Sequence, residues 1–376
     1  MQTRAAVLRA MGTARPYAET RPLSVETVTL NPPGPGELLI RVKAAGLCHS
    51  DLSVINGDRP RVMPMVLGHE AVGVVEALGA GIDDLNLGDH VVTVFMPSCG
   101  HCAPCAEGRP ALCEPGLKAN VAGGLLGGGV RLSNAEGPLH HHLGCSTFAE
   151  RAVVSRRSVT PIDKAVPFED AALFGCAVLT GVGAVVNTAG VRAGQSVVVV
   201  GMGGVGLTAV LGALAAGASP VVTVDLAEDK LALARSLGPV LTVNAADADA
   251  VDQVRALTDG GADVALEFAG SVRALEAAWA MTRRGGTTVT AGLPPPDVAA
   301  AINVTALVGE ERTLKGSYVG TCVPSRDLPR YVALYRQGRL PVDRLKSGTI
   351  TLDQINEGFD RLADGEVVRL VVTFED

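Results

Sequence analysis

Aromatic residues are scarce: one Trp, four Tyr and seven Phe make up 3% of 376 residues. A core built on ring packing is excluded, so the apolar interior must come from Val, Ala and Leu within the 47% hydrophobic fraction. Positive charge is also short. Lys and Arg number 32 against 39 Asp and Glu, a net charge of −7. That balance argues against nucleic acid or an anionic membrane as the main partner. With 19% charged residues against 47% apolar ones, the composition argues against extended disorder. The opening residues Met1 to Ala6 lack the apolar run and cleavage site of a secretory signal, so the expected location is the cytoplasm. One uncharged run, 193–224, is long enough to suggest a membrane span. Its glycines (Gly201, Gly203, Gly204, Gly206, Gly212, Gly217), Pro220 and flanking Val runs suit strand, turn, helix and strand in a buried parallel sheet better. Glycine is plentiful at 45 residues, and a chain of 376 residues allows about two to three domains.

Eight cysteines are present, and four form a tight array: Cys99, Cys102, Cys105 and Cys113, spaced C-x2-C-x2-C-x7-C. Four thiolates in one short loop can surround a tetrahedral Zn²⁺ and leave no position for water, which makes such a site structural. An iron–sulfur cluster is the competing assignment, but the C-x3-C-P ending of bacterial ferredoxins is missing. Unligated thiols would leave nothing to order Gly100, Pro104 and Gly108. A second set is dispersed: Cys48, His69 and Cys176. Two Cys and one His with an open fourth position would form a catalytic zinc site. Spacing alone does not establish that these three meet, and each taken singly reads as a core or surface residue.

The middle of the chain reads as a dinucleotide fold. Ser196 to Val200 is a short β-branched run leading into Gly201-Met202-Gly203-Gly204-Val205-Gly206, a G-x-G-x-x-G pattern followed by helix formers from Leu207. In such a pattern the first glycine turns the chain, the second admits a pyrophosphate and the third packs helix on strand. A second strand, 221–224, ends at Asp225, 19 residues past Gly206. A carboxylate there bonds the adenosine ribose and repels a 2′-phosphate, favouring NAD over NADP. Lys230 either touches the ribose or lies on a solvated helix face. Strands at 263–268 and 287–291, with a helix at 272–281 between them, continue the βαβ rhythm. Before about residue 175 the chain is Gly- and Pro-punctuated, with short strands at 38–42 and 70–76, which points to a β-rich domain. The stretch 123–129 reads as a mobile glycine loop; His140-His141-His142 could bind metal, but a loop run without partner residues is the better reading.

Taken together, Gly46-Leu47-Cys48-His49-Ser50-Asp51, Gly68-His69-Glu70, the four-cysteine lobe, Cys176-x-x-x-Thr180-Gly181 and the glycine fingerprint resemble the zinc-dependent medium-chain alcohol dehydrogenases over nearly the whole chain. The resemblance implies an α/β fold: a Rossmann doubly wound parallel sheet at 178–320, plus a β-rich GroES-like catalytic domain at 1–177 and 321–376, with the active site in the cleft between them. It implies two zinc ions per chain. Cys48, His69 and Cys176 would hold the catalytic ion, and Cys99, Cys102, Cys105 and Cys113 the structural one. By the same likeness Glu70 sits beside the catalytic ion, Asp51 orients His69, Ser50 takes the substrate proton and Phe95 walls the substrate pocket. His49 and Arg369 hold the pyrophosphate of NAD, and Thr180 packs near the nicotinamide. The implied reaction moves hydride between an alcohol and NAD, in a homodimer with a small-molecule substrate.

This chain departs from the family pattern in three places. Ser53 stands where many members have a proton-relay histidine, so the proton is expected to leave through Ser50, the ribose and water. His142 to Phe148 resembles the glutathione-dependent formaldehyde dehydrogenase branch. However, Leu117, next to Lys118, stands where that branch has an anion-gripping Arg, and Asp58-Arg59 also departs from its acidic pattern. A thiol-adduct formaldehyde dehydrogenase and an aldehyde dismutase with tightly held NAD are the alternative functions. A related carbonyl or double-bond reductase, or a non-catalytic zinc and nucleotide binder, fits the ligand cysteines less well.

Overall fold

The computed structural model describes residues 1–375, and its backbone contacts divide them into two units. One comprises Met1–Cys176, Val323–Val332 and the described residues from Lys346 on; the other comprises Ala177–Cys322 and Ala333–Leu345. Residues 333–345, which the resemblance assigns to the catalytic domain, thus cluster with the nucleotide-type unit. The local reason is that Leu340, Val342 and Leu345 are buried and Arg339 Nη2 donates to Ala215 O at 2.9 Å.

The first unit is β-rich. A closed five-stranded barrel joins Gln2–Leu8, Leu23–Leu30, Leu132–Asn134, Gly137–His141 and Met65–Val66. A second sheet is centred on Glu37–Gly46, which pairs antiparallel with Glu70–Leu78, Arg151–Ser155 and Leu370–Thr373. The central strand and Glu70–Leu78 run longer than the expected 38–42 and 70–76, and in the central strand Ala44 and Ala45 continue the buried run. The core is aliphatic, as the shortage of rings requires, with Phe148 and Phe359 edge-on at 5.9 Å as a rare ring pair.

The second unit holds six parallel strands in the order Leu241–Asn244, Val221–Asp225, Val197–Val200, Ala262–Glu267, Thr282–Thr290, Thr313–Gly316. That is the doubly wound order, whose ligand crevice lies beyond the carboxyl ends of the strands. The uncharged run is strand, helix Gly204–Ala215 and strand, as expected. Each Val of Val197–Val200 is 5% exposed or less, and burying each contributes about 1.5–3 kcal/mol. Among the described residues no single helix is long and apolar enough to cross a membrane. One bent pair, Phe168–Gly175 with Ala177–Ala189, passes by length and composition alone.

Of the two loop expectations, the glycine stretch is indeed a loop and the histidine run is corrected. The glycine stretch is a tied turn: Leu125 is fully buried, and Gly124 N, Gly128 N and Leu125 N donate to Ala119 O, Leu125 O and Gly129 O. His140 and His141 lie in the strand Gly137–His141 rather than in a loop; His141 and His142 are buried, His141 Nε2 accepts from Arg131 N at 3.0 Å, and His142 Nε2 stands 3.3 Å from Asp51 Oδ1.

Candidate functional site

Strand register assembles the site. Gly46 pairs with Glu70 on one side and with Val371 on the other. The residues just beyond these pairs, Cys48, His69 and Arg369, are therefore brought to the same end of three adjacent strands. Cys176 arrives by a different route, at the end of the turn Ala172–Gly175. A Cβ on Gly175 would collide with Thr93 O, so glycine lets this turn lie flat on the strand His90–Thr93. Thr93 also pins the histidine corner, donating to His69 O at 2.9 Å and accepting from Ala71 N at 3.0 Å.

The ligand atoms of Cys48, His69, Glu70 and Cys176 lie within 4.8 Å of one another, and all four residues are buried. Asp51 Oδ2 faces His69 Nδ1 at 3.1 Å, and Asp51 Oδ1 accepts from Gly68 N at 3.0 Å. Arg369 Nη1 donates to Leu47 O at 2.9 Å and stands 3.3 Å from Glu70 Oε2. Phe95 sets its ring edge-on to His69 at 5.4 Å. The sequence thus led to these residues, and the fold brings them together. It places Arg369 against Glu70 and Leu47, buried to 3% exposure. Ser50 is half-buried and His49 exposed in the first turn of His49–Ile55.

The electrostatics are those of a site prepared for a cation. The Cys48 thiol is held well below the usual thiol range, first by its hydrogen bond with Cys176 and then by Arg369 and His69, against the penalty of burial. Cys176 keeps the shared proton and rises well above that range. Burial alone would lower the His69 imidazole, yet Asp51 and Cys48 carry it well above its ordinary value. Desolvation pushes Glu70 up to about 7, with Arg369 opposing. His69 Nε2 and both carboxylate oxygens of Glu70 lack a hydrogen-bond partner, although all three atoms are buried. Buried polar atoms without partners are costly, and two thiols with an imidazole suit zinc. The donor set fits that ion.

The lobe fits a second ion. Cys99, Cys102, Cys105 and Cys113 also place their sulfurs within 4.8 Å of one another. Backbone amides aim at the sulfurs: Cys99 N and Gly116 N at Cys113 Sγ (3.2 and 3.4 Å), and Cys102 N at Cys99 Sγ (3.3 Å). Backbone hydrogen bonding brings the Cys99 thiol down to about 6, whereas burial pushes Cys105 up to about 12.

In the second unit Gly203 precedes the fingerprint helix, and a Cβ there would meet open space. A Cβ on Gly206 would collide with Gly201 O, so only glycine permits this close helix approach. Gly201 makes the turn with φ +93°. Gly204 and Val205 open the helix, so their amides lie at its positive end, where a phosphate fits. Asp225 ends its strand, and its carboxylate accepts from Met202 N at 2.6 Å and Ala227 N at 2.9 Å. Lys230 is half-buried in Glu228–Leu237, and Thr180 lies in Ala177–Gly183. His142 is a site residue that the sequence does not reveal, because its neighbours suggest a loop. It is buried beside Asp51, and no local sequence signal marks it, since its partner lies 91 positions away.

Comparison with known proteins agrees with this geometry. Residues 34–164 match the model of the alcohol dehydrogenase GroES-like domain, and residues 204–337 that of the zinc-binding dehydrogenases. A Mycobacterium tuberculosis protein named "Putative alcohol dehydrogenase D" is 41% identical over 99% of this chain and 100% of its own. An NDMA-dependent alcohol dehydrogenase of Amycolatopsis methanolica is 38% identical, covering 99% of both chains. Two crystal structures superpose over 100% of both chains. A zinc-binding domain alcohol dehydrogenase from Burkholderia ambifaria gives a TM-score of 0.94 at 36% identity, and the benzyl alcohol dehydrogenase of Acinetobacter calcoaceticus gives 0.91 at 31%. With a GroES-like domain, a doubly wound sheet and two sulfur-rich metal-ligand clusters, the chain belongs to the zinc-dependent medium-chain alcohol dehydrogenase family and is an alcohol dehydrogenase-type oxidoreductase.

Proposed function

We propose that the chain interconverts a small-molecule alcohol and its aldehyde or ketone with NAD as hydride carrier, holding one catalytic and one structural zinc. The observation that carries this reading is the buried convergence of Cys48, His69 and Cys176. When bound, zinc supplies Lewis acidity and NAD the hydride acceptor. The chain's own residues do the rest. Cys48 and Cys176 offer sulfur, and His69 offers Nε2 while its Nδ1–H points to Asp51. Arg369 balances the anionic charge of Glu70 and the thiolates. Phe95 excludes water on one side of His69, and the Ser50 hydroxyl takes the substrate proton. Gly203 and the helix N-terminus receive the pyrophosphate, with His49. Asp225 selects NAD, and Lys230 and Thr180 flank the nucleotide.

The test combines metal analysis with turnover. Two zinc ions per chain and NADH absorbance from a panel of primary, secondary and aromatic alcohols support the reading, whereas protein without zinc, or inert toward every alcohol, refutes it. The relative named for its NDMA dependence favours a second reading, in which nucleotide stays bound between turnovers. Purified protein that carries nucleotide absorbance and turns over only with an added acceptor or a second aldehyde would support it. We also propose a homodimer. Thr313–Gly316 is an edge strand with Leu314 38% exposed, and Val304 and Val308 just before it are 68% and 72% exposed. Six of the eight free cysteines are the proposed zinc ligands, and the cytoplasm, where thiols stay reduced, is the proposed location.

A further inference from the structure

Two buried histidines, His141 and His142, take no part in the chemistry above. His141 has a structural partner, since its Nε2 accepts the Arg131 backbone N–H at 3.0 Å. His142 faces the metal-ligand cluster. Its ring is 1% exposed, its Nε2 lies 3.3 Å from Asp51 Oδ1, and it stands edge-on to the His69 ring at 5.5 Å. Asp51 is fully buried and turns its other oxygen to His69 Nδ1. The three side chains form a buried cluster, with ring nitrogens and a carboxylate oxygen within 4.8 Å of one another, that shares His69 with the cluster of Cys48, His69 and Cys176.

The backbone carrying His142 is shaped for this placement. Leu143 and Ser146 adopt φ of +51° and +55°, with Gly144 at +66° between them. Left-handed residues with side chains persist only where their surroundings hold them, and they gather at functional sites. The segment is laced to the residues just before His69. Ser146 Oγ accepts from His142 N at 3.0 Å and donates to Val66 O at 2.8 Å. Thr147 N donates to Gly68 O, and Phe148 N to Leu67 O, each at 3.0 Å. A Cβ at Gly68 would strike Phe148 N, so the two strands of this lacing touch without room to shift.

A buried carboxylate needs donors for its lone pairs. Gly68 N–H donates to Oδ1 at 3.0 Å, and the ring nitrogens near enough to serve the rest are His69 Nδ1, 3.1 Å from Oδ2, and His142 Nε2, 3.3 Å from Oδ1. The geometry points to His142 as a positioning residue: it fixes the Asp51 carboxylate in the orientation that receives His69 Nδ1–H, and thereby sets the direction and basicity of His69 as a metal ligand. Partners of this kind tune a metal through its ligand without touching it. The inference rests on the reading of Cys48, His69 and Cys176 as the zinc holders.

Full-length, zinc-loaded protein tests it through metal release to a chelator, with the lobe zinc as internal control. His142→Gln keeps an N–H donor within reach of Asp51, His142→Asn keeps one that falls short, and His142→Met keeps only bulk. Removing the hydrogen-bond partner of a ligand lowers metal affinity about 10–100-fold, and one step further out the lower end applies. His142→Met and His142→Asn should release one of the two zinc ions about tenfold faster than the parent, and His142→Gln within about twofold of it. In cobalt-substituted protein the visible bands of the thiolate site should shift for Met and Asn and be restored by Gln. If His142→Met does not fold, the Gln and Asn pair carries the comparison. Release at the parent rate in all variants, or equally fast in all, overturns the inference, because the ring then only fills space. A third zinc per chain in the parent, absent from the variants, overturns it too, by making His142 a ligand. If the parent holds no zinc that Cys48→Ser removes, the zinc reading itself fails and this inference with it.

Discussion

Glu70 is fully buried and faces Arg369 Nη1 at 3.3 Å, so each is the other's counter-charge. Removing one member of a buried pair leaves an uncompensated charge, at a cost of about 3–5 kcal/mol. Arg369→Met should therefore lower the urea-unfolding free energy by about that much at pH 8. The loss should be smaller at pH 5, because Glu70, already pushed up to about 7, can then take a proton instead of standing as a bare carboxylate. Equal losses at both pH values would show that Arg369 stabilises through packing alone. His141 gives a second pH effect, through a group that is not itself a proposed metal ligand. Burial lowers its imidazole from 6.5 to about 3, and its Nε2 is occupied as an acceptor. The unfolded chain therefore binds a proton below pH 6.5 that the folded chain refuses. Stability is intact above 6.5 and drains away as pH falls toward 3, by up to about 1.4 kcal/mol per pH unit from this group. His141→Gln, whose Oε1 can accept the Arg131 N–H, should flatten that slope by about one proton's worth in urea titrations between pH 6.5 and 5.

At the scale of elements, the fingerprint turn separates folding from binding in two neighbouring glycines. Gly203 looks onto open space while Gly206 is pressed against Gly201 O. Gly203→Ala should leave the melting temperature within about 2 °C of the parent but weaken nucleotide binding at least tenfold by calorimetry, since the new methyl stands where a pyrophosphate approaches. Gly206→Ala should lower stability by about 1–3 kcal/mol, the usual cost of forcing an extra methyl into a packed contact. This turn was legible in the sequence because all its determinants are local: a Val run, three glycines in fixed spacing, a helix and an acid at the next strand end. The lobe was legible for the same reason, its outer cysteines being 14 residues apart. The pairing of Gly46 with Glu70 and Val371 has no such local mark. Without the family likeness, Cys48, His69 and Cys176 are a candidate zinc set whose meeting the spacing does not establish, and His142 reads as loop because its partner Asp51 lies far away in sequence.

Across the whole molecule, the sequence announced a β-rich part and a βαβ part through composition and period, while the return of the last strand to the first sheet came only from the resemblance. What remains for the assembled protein is its exposed edge. The six-stranded sheet closes on one side with Leu241–Asn244 and on the other with Thr313–Gly316, which pairs with Thr282–Thr290 and leaves its outer backbone groups uncovered. Lys315 is the charge already on that edge, and charge is a common guard against unwanted pairing, yet Val304, Val308 and Leu314 expose apolar surface next to it. A two-fold partner presenting the same strand would satisfy the backbone and cover those side chains at once, in a self-complementary interface. The combined variant Val308→Asp, Leu314→Lys should then halve the mass seen by sedimentation while leaving zinc content and nucleotide binding intact. If the parent protein sediments as a monomer at micromolar concentration, or the variant stays dimeric, the edge is not the interface.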